Sequence, residues 1–142
     1  MLLTEMMIFN IVRAYLVRER YVTLQLVSPG GQAPFGLSVV TNGKKSTKYP
    51  DMITMKDDII FVGEIKPGFS RSDKEKLELI IGTASLQLRD LVSRYFNLDT
   101  KSSRICPVLC HSNVIHPVIP HFEQWIAKVD GSICVNKMMD GR

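Results

Sequence analysis

Apolar positions in the first third of the chain recur with two different periods, which predict different secondary structures. Over 2–19 they recur at steps of three and four residues with no Gly or Pro between them, and this predicts a helix. Over 21–27, YVTLQLV, apolar and polar residues alternate and β-branched residues are frequent, which predicts a strand. Turn formers fill 28–36, LSVV at 37–40 predicts a short strand, and TNGKKSTK at 41–48 is interpreted as a flexible basic loop.

The middle of the chain predicts a hairpin, a long helix and a further strand. Two apolar runs on either side of a charged tip predict a hairpin within 48–67. Apolar residues with helical spacing predict a helix over about 73–96, and Ser72 and Glu75 have the spacing of a capping box at its start. RICPVLC at 104–110 predicts another strand.

The C-terminal part carries weaker patterns. PHFEQWIAKV, near 120–129, predicts a short closing helix, and the last dozen residues are polar and are expected to be loosely held. The chain has no internal repeat, low-complexity tract or linker, so we expect one domain over 1–142, with a core of about 2–111 and a C-terminal helix and tail over 112–142. The element order α-β-β-β-α-β predicts an α/β fold in which helices flank a mixed central sheet.

Composition narrows the class of protein only moderately. A chain of 142 residues with 45% apolar content can bury the core of one domain. A net charge of +4 permits a nucleic-acid partner without requiring one. The three cysteines are an odd count and the N-terminal apolar stretch lacks the basic start of a signal peptide, so we expect a cytoplasmic protein without a disulfide framework. No apolar run reaches the length of a membrane span, and no membrane partner is expected.

Charged residues gather at the end of the predicted hairpin. Asp57–Asp58 is the most polar pair between the apolar runs and predicts the turn. With that turn Asp51 lies opposite Glu64, and the Cβ atoms of opposite residues are roughly 4.5–5.5 Å apart. Lys66 follows Glu64 by two residues and therefore points to the same face of the strand. We predict two acids and one amine side by side, whereas Ile65 between them should pack on the other face.

Such a triplet has a chemical use. One or two carboxylates, with waters and phosphate oxygens, are what typically hold Mg²⁺. The ion lowers the pKa of a bound water and neutralises charge on a phosphoryl group, and an adjacent lysine can orient that water or stabilise negative charge. A phosphodiester hydrolase needs this set of groups. The alternative interpretation is a surface hairpin whose end is held by a salt bridge, with the lysine neutralising the two acids.

The spacing around the hairpin resembles a known nuclease signature. Pro50-Asp51, a hairpin, and then Glu64-Ile65-Lys66 at the end of an apolar strand resemble the PD-(D/E)xK motif of the restriction-endonuclease-like nucleases. The predicted element order over about 2–111 also resembles the core of that superfamily.

The resemblance implies a role for each motif residue. Asp51 and Glu64 would bind the metal, which is Mg²⁺ or, in its place, Mn²⁺, and Lys66 would act on the nucleophilic water. Glu5 on the first helix would be a further metal ligand. Alternatively, Glu5 is a solvated acid in a first helical turn, where the helix dipole favours negative charge.

The implied function is a metal-dependent DNA endonuclease with no small-molecule cofactor. The chain is of a size similar to archaeal Holliday-junction resolvases and small restriction-type subunits. One domain has one site, so cutting both strands would require a homodimer or a partner subunit. Two alternatives remain open: a nucleic-acid-binding or assembly subunit that keeps the fold without cutting, and a small α/β interaction domain whose hairpin matches by chance.

Basic residues lie on either side of this motif along the chain. Lys44, Lys45 and Lys48 precede the hairpin, and Arg71 and Lys74 open the long predicted helix. Phosphate contacts position a duplex without reading its sequence, so these five residues are candidates for binding nucleic acid. The alternative is that they are ordinary solvated side chains.

The cysteines and histidines between 106 and 134 match no paired Cys-x-x-Cys zinc pattern. We expect Cys106 and Cys110 to be small buried thiols in a core strand. Trp125 is expected to anchor the core or an interface.

Overall fold

A computed structural model of the protein describes residues 3–112 and 119–137. These two ranges contain two helices and eight strands: α1 (Glu5–Arg18), β1 (Val22–Leu26), β2 (Leu37–Thr41), β3 (Lys44–Lys48), β4 (Met52–Lys56), β5 (Ile59–Ile65), α2 (Arg71–Phe96), β6 (Arg104–His111), β7 (Glu123–Ala127) and β8 (Ile133–Lys137).

Six strands form one mixed sheet in the order β1-β4-β5-β6-β7-β8. β1, β4 and β5 are antiparallel neighbours, β5, β6 and β7 run parallel, and β8 returns antiparallel to β7. A parallel pair needs a crossover, which α2 supplies between β5 and β6. The predicted α/β class and mixed sheet with helices are therefore confirmed.

The sheet is covered on both faces, so its central strand is buried on both sides. Alternate residues of β5 point to opposite faces: Ile60 and Val62 pack under α2, whereas Phe61 and Ile65 pack under α1. Trp125 in β7 is fully buried on the α1 side, as expected of a core anchor. The thiols of β6 are buried on the same side, as predicted.

The hairpin register agrees with the sequence prediction. Ile53 pairs with Val62, and the turn lies at Asp57–Asp58. Both turn residues have positive φ, 51° and 62°, a region that aspartate tolerates better than most residues. A short polar turn between two apolar runs therefore sets which residues face each other along the whole hairpin.

The two long helices lie where the apolar period places them, but the predicted capping box of α2 is wrong. Ser70, not Ser72, is the N-cap: its backbone is extended and its hydroxyl accepts a hydrogen bond from the Asp73 amide at 3.3 Å. Ser70 and Asp73 have the same three-residue spacing as Ser72 and Glu75. The helix therefore starts one half-turn earlier than the sequence pattern indicated.

The basic segment at 41–48 is a strand rather than a flexible loop. Lys44–Lys48 forms β3 and pairs residue by residue with β2 across an Asn42–Gly43 turn. Asn42 and Gly43 have φ of 52° and 77°, which is the geometry that an Asn-Gly pair favours in a two-residue hairpin. The hairpin packs on α2 through Leu37 and Val39.

The predicted closing helix near 120–129 is also wrong. Glu123–Ala127 is the strand β7, which lies between β6 and β8. The following segment Ile133–Lys137 pairs with it as β8, so this part of the tail is not loosely held. Residues 138–142 lie outside the described residues. Of the two helices in the described ranges, α1 and α2, neither is both long and apolar enough to cross a membrane.

Candidate active site

Two carboxylates meet where the β4–β5 hairpin ends. Asp51 directly precedes β4, and Glu64 is the last but one residue of β5. The Asp51 amide donates to Glu64 Oε2 at 2.8 Å, and the Ile65 amide donates to Asp51 Oδ2 at 2.9 Å. Each carboxylate is thus held by the backbone of the opposite strand. The structure places the two acids together, at the register that the turn predicts.

Lys76 of α2, rather than Lys66, contacts this acid pair. Its Nζ donates to Glu64 Oε1 at 2.8 Å and to the Tyr49 carbonyl oxygen at 2.9 Å. The Glu64 side chain is only 4% exposed and the Lys76 side chain 23%, so the ion pair is largely shielded from water. In the sequence Lys76 is simply one of several charges at the start of a helix. The next residue, Leu77, belongs to the line of buried apolar residues by which α2 packs on the sheet, and this is the one signal that Lys76 lies near the sheet.

Lys66 lies just beyond β5 and is exposed. Its amide donates to the Cys110 carbonyl at 3.0 Å, which continues the β5–β6 pairing by one residue. The charge of Lys66 lowers the pKa of Asp51, although the charge of Lys76 lowers it more. Within residues 3–112 and 119–137 its ammonium makes no ion pair or hydrogen bond, so it is free to meet a ligand on the same side as the acids.

Burial dominates the electrostatics of the pair. It raises the pKa of Glu64 to about 7, and the charge of Asp51 acts in the same direction, whereas Lys76 lowers it. Burial also raises the pKa of Asp51, against the hydrogen bond from Ile65 and the two lysines. Burial thus favours the protonated form of both acids, and a positive charge beside them favours the ionised form.

A third acid that the sequence analysis did not single out lies nearby. Asp73 in the first turn of α2 is 7% exposed, and its Oδ2 has no hydrogen-bond partner among the described residues. Its charge raises the pKa of Asp51, which places it within electrostatic range of the pair. The signal for it was the cap: an acid three residues after Ser70 is the expected partner of an N-cap serine.

Glu5 lies in the first turn of α1, half-buried. The Leu3 amide donates to Ser112 Oγ, and that hydroxyl donates to the Pro67 carbonyl, so the start of α1 is tied to the sheet end that carries Glu64. No hydrogen bond or ion pair of the described residues joins Glu5 to the acid pair. Its role as a metal ligand stays a prediction.

The donor set fits a hard cation better than zinc. Nowhere in the described ranges do three or more His, Cys, Asp or Glu side chains form a group that could hold a metal by themselves. Two carboxylates that leave the remaining positions to water and phosphate are, however, a normal ligand set for Mg²⁺. The mutual repulsion of the two acids and their raised pKa values would be relieved by such an ion.

The predicted phosphate-binding residues form two groups. Lys44 and Lys45 are exposed on β3, and Lys48 is half-buried at the end of the same strand, which leads directly into the acid pair. Arg71 and Lys74 in the first turn of α2 form exposed i,i+4 ion pairs with acids of the same helix, at 3.3 and 3.1 Å. The hairpin group is therefore the less neutralised of the two.

No protein-family model, curated protein or solved structure matches this chain.

Proposed function

We propose that the protein is a metal-dependent DNA endonuclease built on a restriction-endonuclease-like core. The observation that carries this proposal is the pairing of the Asp51 and Glu64 carboxylates at one hairpin end, next to Lys66 and Lys76. The order of α1, an antiparallel β1-β4-β5 unit, the crossover helix α2 and the parallel strand β6 supports it.

The acids and lysines have separate roles in this proposal. Asp51 and Glu64 would hold Mg²⁺ or Mn²⁺, with Glu5 as a further ligand; when bound, the ion would activate a water and neutralise phosphate charge. Lys66, which is exposed, would orient the attacking water and stabilise the negative charge that develops on the phosphoryl group, while the proton of that water leaves to solvent. Lys76 favours the ionised form of Glu64, because it opposes the effect of burial, which raises the Glu64 pKa to about 7.

DNA would approach along the β2–β3 hairpin. Lys44, Lys45 and Lys48 would contact backbone phosphates, and Arg71 and Lys74 would extend the same contact at the start of α2. A single acid pair cuts one strand at a time. Cutting both strands would thus require a homodimer or a partner subunit.

A second candidate is a DNA-binding or assembly subunit that does not cut. It is favoured by one observation: both oxygens of Glu64 already accept hydrogen bonds, one from an amide and one from Lys76. An acid neutralised in this way is stable without a metal ion.

The test is cleavage of supercoiled plasmid, a four-way junction and single-stranded DNA with Mg²⁺, with Mn²⁺ and with chelator. We expect metal-dependent cutting that falls by at least about 100-fold in Asp51→Asn and in Lys66→Ala. Lys101→Ala, at an exposed position in the turn before β6, is the matched control and should cut as the wild type does.

Full activity in Asp51→Asn or Lys66→Ala would rule out the proposed mechanism. DNA binding without cutting, under every metal condition, would instead support the second candidate.

A further inference from the structure

An open cleft adjoins the Asp51 carboxylate on the side of the loop that follows β1. Its volume is about 430 Å³, and it is lined by Val27, Gly31, Gln32, Ala33, Tyr49 and Asp51. Asp51 is the one charged residue of this lining. The other lining residues are uncharged, namely two small residues, a valine, a glutamine and a tyrosine, so the cleft suits a neutral ligand that lies next to the acid pair.

The main chain around the cleft is held firmly. The buried Gln25 amide donates to the Pro50 carbonyl at 2.7 Å and to the Phe35 carbonyl at 3.1 Å, and its oxygen accepts from the Phe35 amide at 2.8 Å. The Val27 amide donates to the Asp51 carbonyl at 2.8 Å. These bonds fix the two ends of the 28–36 loop against the segment that carries Tyr49 and Asp51.

Tyr49 presents its ring at this cleft, two residues before Asp51 along the chain. It is 51% exposed, although its carbonyl is held by Lys76. One edge of the ring lies against Gly36, where a Cβ would be 2.6 Å from the ring Cε1. The ring can lie in this position because Gly36 has no side chain. The rest of the ring surface is open to the cleft and to solvent.

We propose that the cleft binds an unstacked DNA base, which stacks on Tyr49 beside the phosphate that is cut at the acid pair. This inference rests on the proposed function. A base is neutral and presents a flat π-face, which suits the exposed ring of Tyr49 in the cleft lining. The volume is also in the range of small-ligand sites, which is about 300–1,000 Å³. The Gln32 amide can donate to and accept from the edge of a base.

This placement selects the structure of the DNA. In a continuous duplex every base is stacked on both sides and must be extracted before it can reach Tyr49. Single strands, strand ends and branch points offer bases that are already partly unstacked. The protein should therefore bind and cut such substrates in preference to an uninterrupted duplex.

The test measures binding without catalysis, in chelator, by fluorescence anisotropy of a labelled single strand of about 12 nucleotides. The wild type is compared with Tyr49→Leu, with Tyr49→Phe, which keeps the ring, and with Tyr95→Leu. Tyr95 is the matched control because it is 59% exposed, lies near the C-terminal end of α2 and is not part of the cleft lining. A 2-aminopurine base placed along the strand reports stacking through its fluorescence.

We expect Tyr49→Leu to weaken single-strand binding about tenfold and to abolish the change in 2-aminopurine fluorescence. Tyr49→Phe and Tyr95→Leu should bind within about twofold of the wild type. Equal binding and equal fluorescence of Tyr49→Leu and the wild type, in a wild type that cuts DNA, would overturn the inference and leave the proposed function intact. A wild type that neither binds nor cuts any DNA would refute both.

Discussion

The ion pair between Lys76 and Glu64 makes a prediction about stability that does not depend on catalysis. Replacing Lys76 by Met keeps most of the side-chain length and removes the ammonium that lies 2.8 Å from Glu64 Oε1. Glu64 is 3% exposed, so the variant leaves an ionised carboxylate with no charged partner at 4 Å or less among the described residues. The loss of stability should follow the ionisation of that carboxylate.

The magnitude follows from the Glu64 pKa. Burial raises it from 4.5 to about 7, so the folded protein binds a proton there that the unfolded chain has released, and this group makes the fold less stable as pH rises from 4.5 through 7. Without Lys76 the pKa rises further, because the lysine lowers it. The buried acid can always escape by taking up a proton. Through this carboxylate the variant can therefore lose no more than the free energy by which ionisation of Glu64 stabilises the folded wild type relative to its Glu64-protonated form.

That free energy is close to zero at pH 6, about 1 kcal/mol at pH 8 and about 3 kcal/mol at pH 9. Urea denaturation of the wild type and Lys76→Met at these three pH values measures it directly. Lys74→Met is the matched control, since Lys74 lies on the same helix in a more exposed pair with Glu78. Its effect should stay below about 0.5 kcal/mol and should not change with pH in this way.

A loss of the same size at pH 6 and at pH 9 would refute this reasoning, because it would mean that Lys76 stabilises the fold by packing alone. The double variant Glu64→Gln/Lys76→Met separates the two causes. Once Glu64 is neutral, removing the lysine should no longer add the loss through Glu64 that grows between pH 6 and pH 9; the cost that remains reflects its hydrogen bond to the Tyr49 carbonyl oxygen and its charge near Asp51.

Two further predictions concern the parts of the fold that hold the site. Gly63→Ala should lower the free energy of unfolding by at least about 2 kcal/mol, because a Cβ there would lie 2.9 Å from the Val108 carbonyl oxygen of the neighbouring strand; a denaturation midpoint equal to the wild type would contradict this. Ser70→Ala should cost about 1 kcal/mol by removing the hydroxyl that accepts from the Asp73 amide, whereas Ser72→Ala should be nearly neutral. The opposite ranking of these two variants in thermal melts would restore the capping box that the sequence pattern suggested.

The hairpin that carries the acids could be predicted because its determinants are local. A polar two-residue turn between apolar runs fixes the register, and the register places Asp51 and Glu64 opposite each other. The helix α2 could be predicted for the same reason, because its apolar residues recur at helical spacing along one continuous segment. Lys76 could not be assigned from sequence, since its contact with Glu64 depends on where the crossover helix lies over the sheet.

Three strands were not predicted, β3, β7 and β8, and the reasons for β3 and β7 differ. β3 consists of exposed or half-buried residues and lacks an apolar face. The segment is therefore interpreted from its sequence as a basic loop, although an Asn42–Gly43 turn pairs it with β2. The segment Glu123–Ala127 has no helix-specific period over so short a length. It is a strand because it pairs with β6 on one side and β8 on the other, and its four residues from Gln124 to Ala127 are all buried there. Both outcomes depend on pairing with a neighbouring strand, which the period of the segment itself does not report.

The hairpin also determines the order in which the charges of the site meet during folding. β4 and β5 are joined by two residues, and a hairpin of this kind forms in roughly 1–10 μs, whereas the pairing of β5 with β6 must close a loop that contains all of α2. The acids therefore face each other before Lys76 is in place. At alkaline pH their repulsion acts on the folding transition state, and the ammonium compensates it only afterwards. The rate constant of folding should consequently carry the part of the pH dependence that comes from the repulsion between the two acids.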